Sequence, residues 1–104
     1  MNPMMNDTKW EELRAAMHAL SDAPQWRNKI VGTGYVSPWD GEWFHHFRNG
    51  GYADLEWVEI KVNSLSQEQA VLAALKAIHL PGHRTDVGFK IYGHLKPGQF
   101  IDYV

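Results

Sequence analysis

The sequence predicts an α+β domain: a two-layer α/β sandwich in the order α-β-β-β-α-β-β, with a mostly antiparallel sheet and two helices on one face. Three observations predict it. Two stretches repeat apolar residues at helical spacing behind capping residues, and the segments between and after them alternate with period two. The connections inside the run of strands are also too short for parallel crossovers. At 104 residues the chain has the length of one domain, residues 1–104, with enough apolar content (44%) to bury a core.

Thr8-Lys-Trp-Glu11 reads as a capping box, a hydroxyl cap answered three residues later by Glu. Trp10, Leu13, Met17 and Leu20 follow at helical spacing, and Ser21-Asp-Ala-Pro24 ends the helix, because the residue before proline leaves helical geometry. Trp26 to Val36 reads as the first strand, with Gly32 and Gly34 on one of its faces. Trp43 to Phe47 or Arg48 is the second strand, joined to the first by a hairpin turn at Asp40-Gly41. Two registers are compatible with that turn, one pairing Val36 with Phe44 and the other pairing Val36 with Trp43. A slip of one residue exchanges the faces, so the register stays open.

Asn49-Gly50-Gly51 is the next turn signal, and Leu55 to Val62 is the best-specified strand. Val58, Ile60 and Val62 share one of its faces; Leu55, Trp57, Glu59 and Lys61 share the other. Ser66-Gln-Glu-Gln69 starts the second helix, whose stripe is Val71, Leu72, Ala74, Leu75 and Ile78, and Pro81-Gly82 stops it. Val87 to His94 is the fourth strand, with Val87, Phe89 and Ile91 inward and Lys90 and Tyr92 outward. Lys96-Pro-Gly-Gln99 is a type II turn, after which Phe100 to Val104 returns as a fifth strand.

Function is read from a shortage of cover. Two helices shelter one face of such a sheet and hardly both, so Trp57, Leu55 and some of Trp43, Phe44, His45 and His46 fall on the bare face. Exposed aromatic side chains grouped on a sheet point to another protein, a ligand or self-association. Trp39, Asp40, Glu42 and Trp43 around the turn, supported by His45 and Trp57, are the candidate binding residues. A fold enclosing every tryptophan would remove this inference.

Other chemistries fare worse. The net charge of −2 and the dispersed lysines and arginines argue against a nucleic-acid partner. With no cysteine, disulfides and thiol nucleophiles are excluded. No basic-then-apolar leader and no membrane-length apolar run is visible, which places the protein in the cytoplasm, away from the membrane. Gly32-Thr-Gly34 lacks the rest of a dinucleotide fingerprint, and no nucleophile elbow exists. His79 and His83 are separated by Pro81-Gly82, so helical geometry fails, and His45 and His46 point to opposite faces of a strand, so at most one of them joins a site; spacing alone does not bring His83 or His94 to either, and no metal or cofactor is expected. Asp40 or Glu42, raised by the neighbouring indoles and working with a histidine, is the alternative: a small hydrolase-like or ligand-binding enzyme.

Tyr35-Val-Ser-Pro-Trp-Asp-Gly-Glu-Trp43, Gly50-Gly-Tyr52, Glu56-Trp-Val-Glu-Ile60, Ile78-His-Leu-Pro-Gly82 and Tyr92-Gly-His-Leu-Lys-Pro-Gly-Gln99 together resemble a family of small uncharacterised bacterial single-domain proteins. The resemblance spans nearly the whole chain. It implies a bacterial source and a compact domain, and it transfers no catalytic residue. The resulting expectation is a protein-interaction module, of the kind that immunity or antitoxin proteins represent.

Overall fold

In a computed structural model describing Met1–Val104, the chain runs β1 (Asn2–Pro3), α1 (Asp7–Ala19), β2 (Gln25–Ile30), β3 (Leu55–Lys61), α2 (Leu65–Ile78), β4 (Gly82–Arg84), β5 (Gly88–Tyr92) and β6 (His94–Leu95). Four strands form an antiparallel sheet in the order β2-β3-β5-β4, and β1 pairs with β6 in a separate two-stranded sheet. Both helices pack on one face, where Trp10, Leu13 and Met17 of α1 and Val71 and Leu75 of α2 meet Val58, Ile60, Phe89 and Ile91 of the sheet. The α+β class and the two-layer arrangement are as the sequence predicts.

Both helices are capped two residues before the predicted positions, at Asn6 and Ser64 instead of Thr8 and Ser66. Asn6 caps α1 by accepting from the Lys9 amide, and Ser64 caps α2 by accepting from the Gln67 amide. Asn and Ser are cap residues as strong as those predicted. The earlier start makes Gln67 the third helical residue, where its buried side chain accepts from the Asn63 amide and donates to the Asp22 carbonyl. The second helix ends on His79, which takes left-handed geometry (φ 66°) and stacks on Tyr103, two residues before the predicted stop.

Three predicted strands need correction. The first stops at Ile30, because Gly32 and Gly34 take positive φ (88° and 72°) and turn the chain. The chain then returns along β2 as an irregular edge, bridged at Lys29–Val36 and Trp26–Asp40. The turn of this hairpin is therefore at 31–34 and not at Asp40-Gly41. Trp43–Phe47 is no strand: Trp43 and Phe47 are buried while Phe44, His45 and His46 between them are exposed, the four-residue spacing of a helical turn. Phe100–Val104 builds no ladder. Phe100 is 96% exposed, and the tail touches the fold through a Tyr103–Pro81 bridge and a bond from the Val104 amide to the Leu80 carbonyl.

The third and fourth strands hold as predicted, with Val58, Ile60, Phe89 and Ile91 facing the helices. Leu55 is the exception on its strand. The register of β2 against β3 shifts between Lys29 and Ile30, so Ile30 pairs with Leu55 and Lys29 with Trp57. This bulge turns Leu55 into the core, where it is buried.

Candidate interaction surface

Two regions gather the residues in question: the segment from 31 to 54, and the sheet face opposite the helices. The 31–54 segment is long for an irregular loop, and compact loops of such length are usually functional. Its ends are tied by the Val31 amide donating to the Asp54 carbonyl at 2.8 Å. Trp43, Phe47 and Tyr52 plug it into the core beside Trp10 and Trp26. Tyr52 also donates its hydroxyl to Glu11 at 2.7 Å, and Glu11 receives the Arg14 Nε at 2.6 Å, so the loop is pinned to α1. Those two donors hold the Glu11 carboxyl below its ordinary value, while burial pushes the Tyr52 phenol up.

Asp40 and Glu42 are occupied by this architecture. Asp40 accepts from the Glu42 amide at 2.8 Å and meets the His46 ring Nδ1 at 2.9 Å. Glu42 caps the following turn, accepting from the amides of His46 (2.6 Å), His45 (2.7 Å) and Phe44 (3.0 Å). Those backbone donors, the His46 amide foremost, lower its pKa to about 2. This is the opposite of the upward shift that the acid–base reading requires. Because the folded value lies below the ordinary 4.5, the contribution of Glu42 is complete above about pH 4.5 and is lost as pH falls toward 2. In Glu42→Gln, tryptophan fluorescence reporting on the loop should lose much of its acid transition in that window; an unchanged transition would show that Glu42 does not hold the turn.

The tryptophans divide sharply. Trp43 is 1% exposed and donates its indole N–H to the Pro24 carbonyl at 2.7 Å, so it has no surface to offer a partner and leaves the candidate set. Trp10 and Trp26 are likewise core residues. Trp57 does lie on the face opposite the helices, yet it is only 9% exposed, with Lys29 and Tyr92 beside it on the neighbouring strands and the Lys90 ammonium 4.2 Å from its ring centre. Trp39 alone stays half-buried, lying over the same face with the Arg27 guanidinium 4.5 Å and the Lys61 ammonium 5.4 Å from its ring. The expected shortage of cover is therefore met largely by cationic side chains, whose stems and heads screen the indoles.

Pairing across the strands gives the composition of that open face. Arg27, Glu59, Lys90 and His83 form one row, and Lys29, Trp57 and Tyr92 form the next. Arg27 donates to one Glu59 oxygen at 2.8 and 3.1 Å, and Lys29 approaches Glu56 at 3.6 Å. Arg27, Lys29, Lys61 and Lys90 stand against Glu56 and Glu59, so the face carries +2 on a chain of net −2, leaving −4 for the remainder. None of these cations belongs to the residues singled out from the sequence. The signal was present as equal strand parity: Arg27 and Lys29, Glu59 and Lys61, Lys90.

His45 is exposed in the loop with its ring edge-on to Phe44. Phe44 itself is flanked by Arg14 and Arg48 at 5.1 and 5.2 Å. The histidines are dispersed, and no three His, Asp or Glu side chains converge as metal ligands. None of the three surface hollows is lined by Asp40, Glu42 or a histidine. No helix is long and apolar enough to cross a membrane.

The profile of DUF6678, a family of unknown function, matches residues 1–98, and the chain belongs to that family. No curated protein and no solved structure matches it.

Proposed function

We propose that this member of DUF6678 is a protein-interaction module of the bacterial cytoplasm, acting as immunity or antitoxin proteins do by covering a second protein. Its contact surface is the open sheet face where the 31–54 segment folds over the edge of β2. The observation that carries this reading is Trp39, the one tryptophan left half-buried, held on a rigid face by two cations. A large amphipathic ring with little freedom left to lose is the kind of residue that anchors interfaces.

The tagged chain should capture its partner from the native host, and the purified partner can then be titrated. Trp39→Ala should weaken that complex by roughly 30-fold, which is about 2 kcal/mol. The same change should cost no more than about 1 kcal/mol of stability, since it removes cation–π contacts at a surface. Thermal destabilisation as large as that of a core tryptophan change would take Trp39 off the surface.

The Asp40–His46 contact supports a second reading, a hydrolase-like or ligand-binding site at the loop. Turnover of model esters lost on His46→Ala, with the fold unchanged, would favour it.

A further inference from the structure

On the open face two ammonium groups have no carboxylate oxygen within 4.0 Å. Arg27 and Lys29 are matched to Glu59 and Glu56, whereas Lys61 and Lys90 enter no ion pair and rest only against the rings of Trp39 and Trp57. Their positions are fixed by the ladder. Lys90 stands directly opposite Glu59, and Lys61 follows Glu59 by two residues on the same strand, so the two lysines are diagonal neighbours on one face. The backbone positions of such neighbours lie about 7–8 Å apart, and the ammonium groups reach to different rings, Lys61 to Trp39 and Lys90 to Trp57.

We infer that the open face binds an extended acidic protein segment, with its carboxylates received by Lys61 and Lys90. This rests on the interaction reading above and specifies the partner's chemistry. Charge complementarity supports it: the face is positive on a chain that is otherwise negative, so an acidic segment is drawn to this side and repelled elsewhere. Single-stranded nucleic acid also carries closely spaced anions, but it gains much of its affinity from bases stacking on free aromatic faces. Here Trp57 is 9% exposed beneath Lys90 and Trp39 is the one indole that keeps open area, so a run of bases finds no series of stacking platforms.

The probe is a fluorescent peptide of alternating glutamate and serine, compared with its glutamine–serine counterpart and with oligothymidylate, by anisotropy. The acidic peptide should bind, weaken with added salt, and lose about tenfold in affinity in Lys61→Gln/Lys90→Gln. Lys61→Arg/Lys90→Arg should retain binding, which separates lost charge from a damaged fold. Failure of the acidic peptide to bind, equal binding of the glutamine peptide, tighter binding of oligothymidylate, or indifference to the double glutamine change would each overturn the inference. A partner complex that still depends on Trp39 would, in that event, leave the broader interaction reading standing.

Discussion

Trp43→Ala should destabilise the protein by about 3–5 kcal/mol, a large share of the 5–15 kcal/mol that holds a typical domain together. Three losses add up at this one position. The largest is the buried indole itself, packed 4.7 Å from the Phe47 ring and 6.1 Å from Trp26. Next is the hydrogen bond to the Pro24 carbonyl, an acceptor that would be left inside the protein without its donor. Last is the fastening of the 31–54 segment, for which Trp43 is a central peg. Thermal unfolding should fall by on the order of 20 °C, and urea denaturation should show a lower midpoint with an unchanged slope. Trp43→Phe, which keeps most of the ring and gives up the donor, should fall in between. A loss below about 1 kcal/mol for the alanine change would mean that the segment is not anchored through this residue.

The contrast between Trp43 and Trp39, four residues apart on the same loop, shows where sequence reasoning reached and where it stopped. The helices and the strands at Leu55–Lys61 and Gly88–Tyr92 were legible because their apolar residues repeat over enough positions to reveal a period. Strands of two or three residues, such as Asn2–Pro3, Gly82–Arg84 and His94–Leu95, are too short to carry one. Trp43-Phe-His-His-Phe47 is aromatic enough to pass for a strand, and only the burial of its first and last members betrays a turn. The clue was local: Glu42 stands immediately before a run of free amides, and its carboxylate takes three of them.

The site was less legible because its decisive contacts are non-local. Lys90 covers Trp57 from another strand, and Trp39 reaches Arg27 and Lys61 across the edge of the sheet. Counting bare aromatics against available helices missed this, since a lysine or arginine stem can cover an indole as an apolar side chain would. What the structure leaves on the open face is thus cationic more than aromatic, with one indole at its margin.

That face depends on strand register, and Gly88→Ala should expose the dependence with a loss of about 2–3 kcal/mol, the upper part of the range for overpacking. Gly88 pairs with Lys61, and a Cβ there would be driven into the backbone carbonyl oxygen of Ile60, far inside van der Waals contact. A flexible side chain could step aside; a carbonyl in the middle of the sheet cannot without moving its strand. The strain would push β5 from β3 at the end where Lys61 lies, two residues from the position that sets Lys90 opposite Glu59. Gly88→Ala should therefore lower stability in denaturant melts and also weaken binding at the open face, although residue 88 itself adds no charge there. Amide exchange would locate the damage, with faster exchange concentrated in the β3–β5 ladder while α1 stays protected. Unchanged protection in that ladder would show that the strands absorb the extra methyl, and the register of Lys61 and Lys90 would then owe little to the glycine.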